Sequence, residues 1–207
     1  MFKFNSVANV RAIKITWNVM KYLTGLFLLF ISSASIASDQ TDADFFVSAG
    51  LTTGGDTFAE TTMGLKLKAG GLIYLSLGSR FNVSQNISLQ GSFGYHFDAL
   101  DTENGSADFN RFFIEILPFY NLSETFRIGA GVTYLISPEY TDSWDNIAFA
   151  DTAGPILELN WRGASEKIWW GLRYSDIEFE TETLNGYTAP PVKFSGSYIG
   201  LLAHFYF

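Results

Sequence analysis

The chain has 207 residues, 47% of them hydrophobic, 17% aromatic and 16% charged, with 19 Gly, 5 Pro, no Cys and a formal net charge of −8. A charged content this far below the usual quarter, beside so many aromatics, excludes a disordered polar chain. The negative balance excludes a basic nucleic-acid binder, and the lack of cysteine excludes disulfide scaffolds, Cys-liganded zinc and thiol nucleophiles.

Residues 1–37 carry four basic side chains (Lys3, Arg11, Lys14, Lys21) and no acidic one. An apolar core, Leu23 to Ile31, follows and gives way to small residues from Ser32 to Ser38. The core is too short for a membrane helix, which needs about 20 apolar residues. The order basic, apolar, small predicts a secretory signal peptide over 1–37, with Ser35-Ile36-Ala37 as the cleavage motif. The stretch opening at Met20 would form a complete signal by itself, so translation starting there is the alternative. No Cys follows the core, which excludes a lipoprotein anchor. The mature segment 38–207 keeps 9 basic and 21 acidic residues, a net of −12, and has the length of one domain.

From residue 44 onward apolar residues recur at alternate positions, the pattern of strands with two unlike faces. In Ile87–Phe97 the odd positions are Ile, Leu, Gly, Phe, Tyr and Phe, and the even ones Ser, Gln, Ser, Gly and His. Phe126–Tyr134 and the C-terminal Tyr198–Phe207 repeat the scheme, and noisier alternation covers Phe45–Thr52, Leu72–Phe81, Phe112–Tyr120, Pro155–Trp161 and Ile168–Tyr174. Eight strands are predicted. Phe81-Asn82-Val83-Ser84-Gln85-Asn86-Ile87 is echoed 39 residues on by Tyr120-Asn121-Leu122-Ser123-Glu124-Thr125-Phe126, and Trp161–Ile168 follows in the same style. Each unit ends a strand on an aromatic, makes a short polar turn and restarts on an apolar residue. The intervening segments 54–64, 98–108, 137–150 and 178–193 are longer, acidic and expected to be loose loops. Tight turns at one end against long loops at the other is the asymmetry of a transmembrane barrel.

A soluble barrel would turn the apolar face inward. Here the polar face is rich in Gly and Ser, which suits a narrow lumen, and the apolar face begins and ends in Phe, Tyr or Trp, as interfacial girdles do. With these turns and the terminus Tyr198-Ile199-Gly200-Leu201-Leu202-Ala203-His204-Phe205-Tyr206-Phe207, the mature chain resembles the small eight-stranded outer-membrane barrels of Gram-negative bacteria, the group of the OmpA transmembrane domain, OmpW and opacity-type proteins. The resemblance implies an all-β, eight-stranded antiparallel up-and-down barrel in the bacterial outer membrane, porin-like in build. It also implies that Ile199, Leu201, Ala203, Phe205 and Phe207 are similar to the signal read by the barrel-assembly machinery. With Phe207 last, no periplasmic domain is expected after the barrel.

Strand parity turns Arg80, Gln90, Glu115, Arg127, Glu158 and Arg173 into the lumen. Basic side chains facing lipid at mid-depth would cost about 2–4 kcal/mol each, so these groups are expected to face one another or water. Glu158 and Arg173 flank the 162–167 turn, and Glu115 and Arg127 the 121–124 turn. Phe113, Leu117 and Trp169 would fill the remaining space, since an eight-stranded lumen is just wide enough for its own side chains. The expectation is an ion-paired plug with an envelope-structural or surface-interaction role. The alternatives are minor passage of small or hydrophobic molecules, which needs a lateral gap near Pro118 or Pro155 where N–H groups are missing, and lipid A chemistry. For the latter only His96 and His204 are available. His204 lies near the periplasmic rim, and His96, with Ser92 and Asp98, shares a face turned inward, away from acyl chains. No enzyme, metal or cofactor is expected. The acidic loops read as a solvated face, with cation bridging to lipopolysaccharide phosphates or loop-mediated adhesion as alternatives. The expected partners are membrane lipid, lipopolysaccharide and the assembly machinery, with the protein a monomer.

Overall fold

A computed structural model describes residues 43–61, 64–102 and 105–207; the expected signal peptide lies outside them. Fourteen strands are formed among the described residues: β1 (Ala43–Gly54), β2 (Thr57–Glu60), β3 (Lys66–Lys68), β4 (Leu72–Asn82), β5 (Ile87–Thr102), β6 (Gly105–Asn121), β7 (Phe126–Asp142), β8 (Asn146–Phe149), β9 (Thr152–Arg162), β10 (Ile168–Ser175), β11 (Glu178–Leu184), β12 (Tyr187–Thr188), β13 (Lys193–Ser195) and β14 (Tyr198–Tyr206). Eight of them, β1, β4, β5, β6, β7, β9, β10 and β14, pair antiparallel each with the next, and β14 closes on β1. Closure leaves no unpaired edge, which hydrocarbon would penalise. The fold is an all-β, eight-stranded antiparallel barrel.

The repeated turn segments fold alike. Val83 N donates to Ile87 O at 2.8 Å, and Leu122 N to Phe126 O at 2.9 Å. The third turn is one residue longer, with Gly163 N on Ile168 O at 2.8 Å. Ser123 Oγ fixes its turn by accepting from Thr125 N and Phe126 N, the local side-chain bonding that makes Ser a turn residue.

At the opposite end the expected loose loops are mostly strand. β5 and β6 remain in register up to Thr102 opposite Gly105. β7 runs on to pair with β8, β8 pairs with β11, and β11 pairs with both β12 and β13. β2 and β3 form a separate hairpin. These pieces make an ordered crown above the barrel. Its acidic side chains alternate outward from apolar ones, as in β11, where Phe179 is buried and Glu178 and Glu180 are exposed. The charge run was the outer face of a strand.

The two faces of the wall sort as the alternation requires. Outward residues such as Leu51, Leu77, Ile116, Val132, Leu157 and Leu201 are exposed, and rings bound the band on both sides. Tyr120, Phe126 and Trp170 lie at the tight-turn end, and Phe112, Tyr134 and Tyr174 toward the crown. A continuous exposed apolar belt between aromatic girdles, on a closed barrel with a polar interior, is stable only in a bilayer.

The register is continuous through Pro155, which faces Val132, and is the same on either side of Pro118. Neither proline opens the wall. The one shift between β6 and β7 lies higher, between Asn110 and Phe112, beside Ser137 with its positive φ of 49°. It sits where the chain leaves the barrel for the crown.

Candidate functional site

The lumen is filled in layers, and glycines on the inward face make the room. A Cβ at Gly94 would stand 2.2 Å from the Phe113 ring, and one at Gly129 2.6 Å from Phe119. Rings from neighbouring strands lie where those side chains are missing, so the Gly-rich polar face is the negative of an aromatic filling.

The middle layer centres on Arg173 of β10. Its Nε donates to Glu158 Oε2 at 2.6 Å, and its Nη1 to both oxygens of Glu115 at 2.8 and 2.9 Å. Tyr74 Oη donates to Glu115 Oε2 at 2.8 Å, and Ser92 Oγ reaches the same atom at 3.3 Å. His204 Nε2 lies 3.0 Å from Glu158 Oε1, while its Nδ1 lies 2.6 Å from Ser48 Oγ. All of these groups except Ser92 are at most 1% exposed. One guanidinium held by two carboxylates is the geometry that repays part of the desolvation cost of buried charge.

Above it, His96 accepts at Nδ1 from Arg111 Nη2 at 2.7 Å. A guanidinium has no acceptor, so that nitrogen is bare and the proton sits on Nε2, which meets Thr52 Oγ1 at 2.7 Å. Arg111 also lies against the rings of Phe109 and Phe179, 5.0 and 5.5 Å from their centroids. Below the middle, Arg127 Nη2 donates to Tyr206 Oη at 2.5 Å, and Tyr206 in turn donates to Gln90 Oε1 at 3.0 Å. The Arg127 guanidinium stands 4.4 Å from the Phe119 ring centroid and 4.7 Å from that of Trp169.

Of the six residues read from parity, Glu115, Glu158 and Arg173 therefore meet, and Gln90 and Arg127 form a second group lower down. Arg80 touches the second group only through the Tyr206 ring, on which it stacks from the tight-turn end, and its bond goes to Asp44 on β1. Glu115, expected across a turn from Arg127, instead crosses the lumen to Arg173. His204, placed at the rim by its nearness to the C-terminus, reaches the middle layer. Arg111 was missed. It continues the inward odd positions of β6 (Phe109, Arg111, Phe113, Glu115), but the strand had been started at Phe112. Ile199, Leu201 and Phe205 of the C-terminal strand face outward.

Ser48, His204 and Glu158 lie in series like a hydrolase triad, yet Ser48 is fully buried, so its hydroxyl has no route to a substrate. Ser92 and Asp98, on the His96 face, bond Glu115 and the Lys68 amide rather than the histidine.

The two ends of the lumen differ. Toward the crown, Phe58, Phe109, Phe149, Phe179, Phe194 and Tyr140 pack ring to ring, with centroids 4.9 to 5.8 Å apart. At the tight-turn end a cavity of about 680 Å³ lies between Arg80, Trp169 and turn residues such as Asn82, Asn86 and Asn121.

In fold the chain is similar to the attachment invasion locus protein Ail of Yersinia pestis, at 11% identity, over 82% of this chain and 100% of that one, with a TM-score of 0.51. Neisserial surface protein A is similar at 7% identity (82% and 100% covered, TM-score 0.48), as is the outer membrane protein OprG from Pseudomonas aeruginosa at 15% (81% and 97%, TM-score 0.44). No family model and no curated protein sequence matches the chain. Closed barrel, lipid-facing belt and polar lumen together make this an integral outer-membrane β-barrel of the small eight-stranded kind.

Proposed function

We propose that the protein is a closed, non-catalytic barrel that anchors an ordered acidic crown at the cell surface, serving surface interaction and envelope structure rather than passage of solutes. The observation that carries this reading is the double obstruction of the lumen. Arg173 is pinned between Glu115 and Glu158 at mid-height, and a dome of packed rings, Phe58 to Phe194, lies above it. Opening a path would require separating a buried ion triad, which leaves uncompensated charges. The register, continuous through Pro155 and unchanged on either side of Pro118, supports no lateral exit either. On this reading membrane lipid and lipopolysaccharide surround a monomer, and the outward residues Ile199, Leu201, Ala203, Phe205 and Phe207 are what the assembly machinery reads.

Reconstitution in planar bilayers tests the closed lumen: no discrete conductance steps are expected, and stable nanosiemens openings overturn it. For the surface role, cells carrying a barrel with its crown hairpins shortened to tight turns are expected to lose adhesion to surfaces that cells with the full protein bind. Unchanged adhesion overturns that half of the reading.

A further inference from the structure

Three crown hairpins meet around a cleft of about 390 Å³. Its floor is apolar: Ala59, Leu100 and Ala107 line it and pack on the aromatic core beneath. Its walls carry Glu60, which lies 3.3 Å from Lys66 Nζ, together with Tyr140, Asp142 and Trp144. Trp144 is 87% exposed, so its indole face is left to solvent, although a buried ring would remove 150 Å² or more of apolar area from water (an order-of-magnitude figure). Asp142 fixes the backbone that carries Trp144: its Oδ1 accepts from Trp144 N at 2.7 Å and Asp145 N at 2.8 Å, and its Oδ2 accepts from Tyr140 Oη at 2.7 Å. Those two amide bonds hold the Asp142 carboxyl below the usual carboxylate range, so its charge persists. Where the β5–β6 hairpin walls the cleft, residue 105 has a φ of 143°, which glycine adopts without the strain a side chain would bring.

An apolar floor, an open aromatic face, the Asp142 carboxylate and the half-exposed Glu60–Lys66 pair at the rim, where an incoming cation can replace Lys66 on Glu60, fit an aliphatic stem ending in a cation. The ring face attracts the charged head, the carboxylates neutralise it, and the methylenes cover the floor. The surroundings agree in sign. Segments 54–71, 98–108, 137–151 and 176–197 hold 14 of the chain's acidic residues against 3 lysines, a field that steers basic partners and repels polyanions. We propose that this cleft receives a Lys or Arg side chain of a basic polypeptide segment, which makes the partner of the crown a cationic protein. This rests on the surface-interaction reading and adds to it the chemistry of the partner.

The test uses the full chain folded in zwitterionic micelles, with an oligolysine peptide as probe and calorimetry as readout. Trp144→Ala is expected to weaken binding about tenfold, the scale of a desolvated cation–π contact. Tyr187→Ala is the control: Tyr187 is as open, at 79% exposure, but is not among the residues lining the cleft, and about twofold or less is expected. Glu60→Gln, which leaves the Asp142 hydrogen bonds untouched but removes one anion and leaves Lys66 as a competing cation at the rim, is expected to weaken binding several-fold. Equal effects of Trp144→Ala and Tyr187→Ala would reduce the binding to diffuse charge and overturn the proposal, as would no peptide binding at all. Loss of adhesion on shortening the crown, together with no peptide binding, would overturn the cleft alone and leave the surface role standing.

Discussion

Arg173 and Arg127 are both fully buried in one lumen, and they are held in different ways. Arg173 has two carboxylates. Arg127 has a tyrosine hydroxyl, an amide oxygen at 3.5 Å and the faces of Phe119, Trp169 and Tyr206. Above the middle, Arg111 is intermediate: a neutral His96 and two Phe rings touch it, and the Asp98 carboxylate acts on it only through space. The lumen thus gives two carboxylates to one arginine and leaves Arg127 mainly to aromatic quadrupoles, while Asp44 holds Arg80 at the tight-turn end. The middle layer fixes geometry through directional bonds, and the layers above and below fill volume.

The strongest way to break this contrast is to remove the central cation. Arg173→Ala strands Glu115 and Glu158 in a dry interior and is expected to destabilise the barrel by about 3–5 kcal/mol. Urea titration of the folded, heat-modifiable band reads this directly. Arg173→Lys, which cannot span both carboxylates with a fork, should fall between. A cost below about 1 kcal/mol for the alanine variant would mean that water reaches the triad and that the lumen is not dry.

Crowding is the next largest effect. A Cβ at Gly171 would lie 2.7 Å from Asn160 Oδ1, 2.9 Å from His204 Nε2 and 3.2 Å from Glu158 Oε1. Gly171→Ala is therefore expected to cost about 1–3 kcal/mol through overpacking of the directional layer.

For the ring-held cation the expectation is smaller. Arg127→Met leaves no carboxylate unpaired and keeps its neighbours in contact with an apolar chain, while Tyr206 retains its bond to Gln90. A cost of about 1–2 kcal/mol is expected from the lost hydrogen bond and cation–π contacts. If Arg127→Met proved as damaging as Arg173→Ala, the two modes of holding a buried arginine would not differ as described.

The wall of the barrel was legible in the sequence because a period of two survives local noise: Ile87–Phe97 alone assigns in and out along one strand. Partners in the lumen were not legible, because side chains there meet across the axis. Glu115 on β6 and Arg173 on β10 are separated by β7 and β9 around the wall, and their shared height follows from strand tilt and stagger, which no turn length reveals. Sequence nearness pointed from Glu115 to Arg127 and from His204 to the rim, and both were wrong for that reason. The crown was misread on composition. Glu178-Phe179-Glu180-Thr181-Glu182-Thr183-Leu184 reads as a charge run, yet its alternation of acids with smaller or apolar residues is the same period-two signal, and its single buried ring helps close the lumen.

Wall and crown should also differ in how they respond to acid. Asp142 lies outside the membrane band, and the backbone bonds from Trp144 and Asp145 hold its carboxyl below the ordinary range, while burial and the bond to Asp142 push the Tyr140 hydroxyl up and keep it a donor. A carboxylate whose folded pKa is depressed stabilises the fold at all pH above its unfolded value, about 3.9 for aspartate, and loses that contribution as pH falls through the folded value below it. The β7–β8 hairpin should therefore hold down to about pH 3.9 and loosen only below it, seen as a change in near-ultraviolet dichroism from Tyr140 and Trp144. The barrel's far-ultraviolet signal should hold. Asp142→Asn should remove the transition and leave the hairpin equally ordered, or equally loose, on both sides of it. A single acid transition shared by crown and wall would show that the crown has no independent give, and that the rings of Phe58, Phe109 and Tyr140 weld the two into one cooperative unit.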